Sequence, residues 1–182
     1  MQVITQKQLV EMLYGMVGAK MATVITETEP SDHRKNAIDK SGAVNPYYKR
    51  TLKTQRNNVT LGFHYDEGVL RRLAKEGKDA EAFTAGTSWH EPVKNAGRMT
   101  PLCEHKTHKG EYYLRVMLND TLSTDYRTTD GDPIDAAELA PFMPPKNGYH
   151  NQGLDKPLII TTYKVSGIRA LTVNGTDYIV AQ

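Results

Sequence analysis

Leu171-Thr172-Val173-Asn174-Gly175-Thr176-Asp177-Tyr178-Ile179-Val180 is the stretch on which the fold turns. β-branched and aromatic residues flank Asn174-Gly175, the pair that most readily takes positive φ at both central positions of a type I′ turn. The stretch therefore predicts an antiparallel hairpin. Just upstream, Leu158 to Val165 reads as a strand, with a break at Ser166-Gly167.

Outward from this hairpin the same signals repeat. Thr107-His108-Lys109-Gly110 reads as a second hairpin turn, between Leu102–Lys106 and Glu111–Leu118. In its second arm Tyr112, Leu114, Val116 and Leu118 face one way, and Tyr113, Arg115 and Met117 the other. Leu122 to Thr128 reads as a further strand, followed by a turn at Asp130-Gly131. Asp132-Pro133-Ile134-Asp135 has the form of a helix start, with an Asp cap, Pro in first position and an acid in the first turn. Thr51 to Tyr65 reads as strand, broken at Asn57-Asn58, with Val59, Leu61 and Phe63 alternating against Thr60, Gly62 and His64. Met21 to Thr28 is a strand ended by Pro30.

Two helices come early. Thr5-Gln6-Lys7-Gln8 has the spacing of a capping box. The apolar stripe Leu9, Val10, Leu13, Met16, Val17 follows it to a stop at Gly18. Asp66 caps a second helix with Val69, Leu70 and Leu73 on one face and Gly77 at its end. The sum is about seven short strands and two or three short helices, without regular βαβ alternation. That pattern predicts an α+β fold with a mainly antiparallel, curled sheet, for which a small, partly open barrel of OB type is one candidate form.

The chain of 182 residues fits a single domain, 1–182, with a core large enough to need no metal or disulfide. Ser31 to Val44 is polar and aperiodic and reads as a mobile loop. Pro141 to Gly153, rich in proline and glycine, reads as a loop as well. The single cysteine, Cys103, excludes an internal disulfide and any multi-cysteine zinc site, and suggests a reducing compartment. It reads as buried and inert. No basic region followed by an apolar run marks a signal peptide at Met1 to Val10, and no apolar run reaches membrane-spanning length.

Net charge is only +2, so attraction to a polyanion must come from uneven placement. The placement is uneven. Between Arg34 and Arg56 seven cations face Asp39 alone, leaving +6; between Asp120 and Glu138 six acids face Arg127 alone, leaving −5. The basic stretch also carries rings. Tyr47, Tyr48, Lys49, Arg50, Lys53 and Arg56, with Phe63, Tyr113 and Arg115, combine the cations that track phosphates with the rings that stack on bases, which is how single strands are held. In a regular strand Tyr47 and Tyr48 would face opposite ways. The plainer alternative is a solvated sheet edge guarded by charge.

Other constellations are sparser. Trp89 beside His90 reads as a core anchor. The six histidines, His33, His64, His90, His105, His108 and His150, are scattered and suggest no zinc site. Glu104-His105-Lys106 has the Glu-x-Lys spacing of many metal-dependent nucleases, but it needs a second acid, for which Asp66 or Glu91 would have to serve. Phosphate-loop and hydrolase signatures are lacking, so no catalytic residue, metal ligand or cofactor is assigned.

Asn45-Pro46-Tyr47, Val59 to Leu70, Thr100-Pro101-Leu102 with Glu104-His105-Lys106, Gly110 to Val116, Glu138 to Pro144 and Ile168 to Ile179 together resemble a group of small uncharacterised proteins of tailed bacteriophages. The resemblance implies expression in the cytoplasm of an infected bacterium, as a replication accessory or an antagonist of host defence. It brings no activity with it. The expectation is a non-enzymatic protein that binds single-stranded nucleic acid. One alternative is an inhibitor that binds a host protein through the acidic surface; another is a nuclease using Glu104 and Lys106.

Overall fold

The computed structural model describes residues 1–18, 20–30, 35–62, 71, 74–75, 89–143, 149–150 and 159–182, with the backbone alone at 149, 150, 159 and 160. The fold is α+β, mostly sheet with few short helices. The described strands are β1 (Gln2–Ile4), β2 (Lys20–Glu27), β3 (Thr51–Leu61), β4 (His90–Asn95), β5 (Arg98–His105), β6 (Tyr112–Thr128), β7 (Tyr149–His150), β8 (Ile159–Lys164), β9 (Ile168–Val173) and β10 (Thr176–Val180). They form one open sheet in the order β1-β10-β9-β2-β3-β6-β5-β4, with β8 and β7 attached to β6. Every pair is antiparallel except β1 with β10. No described helix is long and apolar enough to cross a membrane.

β6 is the hub. Tyr113 pairs with both Cys103 of β5 and Lys164 of β8, and Val116 with both Leu61 of β3 and Thr161 of β8. A strand has only two edges. β8 therefore lies along one edge of β6, while β5 and then β3 follow each other along the other.

The core lies between one face of this sheet and α1 (Gln6–Tyr14). Thr5 and Gln8 form the expected capping box. The helix ends at Tyr14, a turn before Gly18, because Gly15 already caps it on the carbonyls of Glu11 and Leu13. Leu9 and Leu13 are buried against Ala22, Val24, Val59, Leu61, Leu102, Leu114, Val116, Ile168 and Leu171. β2, β3 and β6 contribute alternate residues, Ala22 and Val24, Val59 and Leu61, Leu114 and Val116, which is the period-2 pattern of a half-buried strand. At the β5 end the opposite face of the sheet is covered too, since Cys103 and Tyr113 are buried there.

Both expected hairpins are present. Asn174 (φ 51°) and Gly175 (φ 77°) join β9 to β10, and residues 106–111 join β5 to β6, with Leu102 opposite Leu114. Other expectations change. Asn57-Asn58 does not break β3; sideways partners take up one polar group of each side chain, although the Asn57 amide oxygen stays buried without a partner. The Asn57 amide donates to the Tyr163 hydroxyl at 2.6 Å, and Asn58 accepts from Thr23 at 2.8 Å. The irregularity moves across to β6, where Asn119 and Leu122 are bulged out of register. Leu122 to Thr128 is the second half of β6 and not a separate strand. The short helix starts three residues late, at Ala136, because Asp135 and not Asp132 caps it. Asp132 and Ile134 are held instead by backbone bonds to Thr128 and Tyr126. The expected loop 141–153 contains the two residues of β7, and the expected helix at 66–77 lies almost wholly outside the described residues.

The Ser166-Gly167 break has a steric reason. The 3-10 turn Val165–Gly167 packs so closely on the end of β2 that a Cβ at Gly167 would lie 2.6 Å from the Glu27 carbonyl oxygen. Backbone cannot yield as a flexible side chain can. Gly167→Ala should destabilise the protein by about 1–3 kcal/mol, read as a lowered denaturant midpoint. An unchanged midpoint would place the turn further from β2 than described.

Candidate nucleic-acid interface

Residues 45–50 form a hydrogen-bonded turn, not the start of an extended ribbon. The buried Asn45 side chain accepts from Tyr47 N at 2.9 Å and donates to Asn36 O at 3.2 Å. Pro46 follows, and Arg50 N closes on Tyr47 O at 2.9 Å. An Asn-Pro pair is strong turn chemistry, and it overrides the β-propensity of the two tyrosines. Strand alternation therefore does not govern Tyr47 and Tyr48.

Their partners separate them instead. Tyr47 donates its hydroxyl to Glu138 at 2.7 Å, and that bond holds its pKa above the ordinary tyrosine value. Tyr48 is 38% exposed. Lys49, at φ 61°, places its ammonium 5.6 Å from the Tyr48 ring centroid. Arg50 pairs with Asp130 at 3.0 Å in the open.

The remaining predicted residues do not join this turn. Arg56 is exposed on the outer face of β3, opposite Ile25, while Lys53 is half-buried on the other face. Arg115 and Tyr113 lie near the Leu61 end of β3, about ten residues from Thr51, or about 33 Å along the strand. Tyr113 is buried, and burial holds the Arg115 pKa below the usual arginine value. Phe63 lies outside the described residues.

The acidic stretch is the nearest neighbour of the basic one. β3 runs antiparallel to β6 from Thr51–Thr128 to Leu61–Val116, so Lys53 and Arg56 lie beside a strand carrying Asp120 and Asp125. Arg127 turns to Glu27, which also receives Arg169 at 3.4 Å. Opposite charges this close cancel within a Debye length of about 8 Å. Neither stretch projects a long-range field of its own.

The segment read as a loop before the turn is described from Lys35. Lys35 is buried at 4% exposure, with its ammonium 5.3 Å from the Tyr126 ring centroid. Asp39 accepts from Ser41 N, Ser41 Oγ and Ala43 N at 2.7–2.9 Å. The Ser41 hydroxyl bond, foremost among these, holds the Asp39 carboxyl below the usual range. Ile38 bridges to Val44 across this turn, and both stay exposed.

A second cluster forms at the β4–β5–β6 end, where most of the perturbed ionisable groups among the described residues gather. Trp89 is 39% exposed and is not the core anchor expected; the buried ring is its neighbour His90. Burial holds the His90 pKa below its ordinary value and pushes the Cys103 thiol up to about 11, too high for a nucleophile at neutral pH. His90 and His105 pack on Trp89 at 4.4 and 5.8 Å, and His108 on His105 at 4.3 Å, so three histidines scattered in sequence converge.

His105 Nδ1 faces the backbone N–H groups of Thr107 and His108, both at 3.1 Å. Its neutral ring therefore carries the proton on Nε2, which points at His108 Nδ1, 3.3 Å away. A metal would need that Nε2 lone pair. Among the described residues no group of three His, Cys, Asp or Glu side chains is placed to hold a metal. Glu104 is bound by Lys109 at 3.6 Å and by Gly110 N at 3.2 Å, and Lys109 also holds Glu91 at 2.7 Å. This cluster also borders a cleft against α1. No motif announces the cleft, because its walls lie about a hundred residues apart in sequence.

No protein-family model, curated protein or solved structure matches the chain.

Tyr113 donates to Glu111 at 2.5 Å, and this bond is the main cause of the depressed Glu111 pKa. A depressed carboxyl contributes stability above its unfolded pKa of about 4.3, and loses that contribution as pH falls through the folded value. Tyr113→Phe should therefore lower the melting temperature at pH 7 by more than at pH 3. An equal loss at both pH values would mean that the two groups are not coupled.

Proposed function

We propose that the protein is a non-enzymatic binder of single-stranded nucleic acid, acting through the turn at residues 45–50 and the outer face of β3. The observation that carries this reading is the Tyr48–Lys49 pair, an exposed ring with an ammonium over one face on a turn fixed by Asn45. The face away from the ammonium can stack on a base without regard to sequence. Arg50 and Arg56 add exposed cations. The Arg50–Asp130 pair is 56% and 69% exposed at its two side chains. Such a pair contributes about 0–1 kcal/mol, so a phosphate can displace the carboxylate. The OB-type curl expected from the sequence, and a setting in the cytoplasm of an infected bacterium, belong to the same proposal.

The neighbouring acids limit how many phosphates the surface can neutralise. With Lys49, Arg50 and Arg56 as contacts, the slope of log K against log salt should be about −2, at about −0.7 for each single-strand contact. Fluorescence titration with short single-stranded DNA at two salt concentrations measures it. Replacing all three cations with alanine should flatten the slope, whereas Tyr48→Ala should cost about 1–3 kcal/mol and leave the slope unchanged. Equal affinity and slope for parent and triple variant would remove the proposal.

A second reading has its own observation. Ile38 and Val44 stand 57% and 74% exposed on a turn that Asp39 rigidifies, near the acidic segment that ends at Glu138. An exposed apolar pair rimmed by charge suits a protein partner. Absence of any salt-dependent DNA binding by the parent would favour this reading.

A further inference from the structure

A cleft of about 780 Å³ separates α1 from the tip of the β5–β6 hairpin and the Val165–Gly167 turn. It is within the size range of small-ligand sites, about 300–1,000 Å³. Val10, Tyr112 and Val165 give it an apolar lining, while Gln6, Lys7 and Glu11 from α1 face Glu111 and His108 from the hairpin. Few of these polar groups are already committed. Among the described residues Lys7 and Glu11 have no ion-pair partner. The Gln6 amide nitrogen is buried without a hydrogen-bond partner. Glu111 commits one oxygen to Tyr113; the other lies 3.9 Å from His108 Nδ1, beyond hydrogen-bond distance.

An orphaned buried donor costs about 1–3 kcal/mol, which an acceptor on a ligand would recover if the Gln6 side chain rotated to bring its amide into the cleft. The uncommitted groups are donors at Gln6 and Lys7 and carboxylates at Glu11 and Glu111. Lys109 lines the cleft as well, but Glu91 and Glu104 already hold its ammonium, so a nucleotide or other net anion would meet both carboxylates with only Lys7 to offset them. A molecule with one group of each sign is matched.

We infer that this cleft is a binding site for a small zwitterion with an apolar body, of the size and chemistry of a dipeptide with apolar side chains. Its carboxylate meets Lys7 and the Gln6 amide, which turns out of its buried position to reach it; its ammonium meets Glu111 and Glu11, and its side chains lie on Tyr112, Val10 and Val165. The site is separate from the turn at residues 45–50 and does not rest on the nucleic-acid reading.

The test is titration of the full chain with leucyl-phenylalanine, followed by two-dimensional amide NMR. The expected result is saturable binding, with shifts confined to α1, residues 106–112 and residues 165–167. Blocking either end of the dipeptide, by N-acetylation or C-amidation, should weaken binding about tenfold or more, the worth of one charge-assisted hydrogen bond. Gln6→Met and Glu111→Gln should do the same. Gln6 is outside the capping box, so Gln6→Met should fold, and with no partner to lose it should melt no lower than the parent. Lack of binding at ~10 mM dipeptide, a limit weaker than the millimolar range of marginal ligands, would overturn the inference. So would equal affinity for the blocked forms, or a marked loss of stability in Gln6→Met.

Discussion

The pairing of β3 with β6 is the constraint on which the rest of this structure depends. Its Leu61 end places Val59, Leu61 and Val116 in the core and seats β2 and β8 on either side. Its Thr51 end brings the most basic segment of the chain against the most acidic one. The two ends differ in energy. An exposed pair such as Arg50–Asp130 contributes about 0–1 kcal/mol, while fully burying one leucine or valine contributes about 1.5–3 kcal/mol. The apolar half therefore sets the register, and the charges become neighbours as a consequence.

That consequence reshapes the functional argument. Read along the chain, +6 and −5 are two separate patches that suggest two separate partners. Read across the sheet, they form one surface of mixed charge. Long-range attraction is largely cancelled, and recognition falls to short-range features: the Tyr48–Lys49 pair, the Ile38–Val44 tip, and the cleft beside α1.

What was legible in the sequence was local. The capping box at Thr5, the Asn174-Gly175 turn and the alternation of Tyr112 to Leu118 each depend on a few adjacent residues, and each is present. What was not legible depends on distant partners. Asn57-Asn58 looks like a break, yet the strand runs through it, with Tyr163 bonding the Asn57 amide nitrogen and Thr23 the Asn58 oxygen. Trp89 looks like a core residue, yet its neighbour His90 takes the buried position. Strand period would set Tyr47 and Tyr48 on opposite faces, but Asn45-Pro46 encodes a turn within the sequence itself, and the turn prevails. The histidine cluster and the cleft leave no trace in sequence, because the β4–β5 register and the packing of α1 create them.

The most direct test of the account is the register of β3 on β6, read with paired cysteines. Arg56 lies opposite Ser123, and Asp125 lies opposite Thr54, two positions away. Directly opposed residues have Cα atoms about 4.5–5.5 Å apart, inside the disulfide window of about 4.4–6.8 Å. The native Cys103 is buried and should not compete. Arg56→Cys with Ser123→Cys should oxidise readily to an intramolecular disulfide, while Arg56→Cys with Asp125→Cys should not. Oxidation of the second pair in preference to the first would mean a different register, and the basic and acidic stretches would not be the neighbours described.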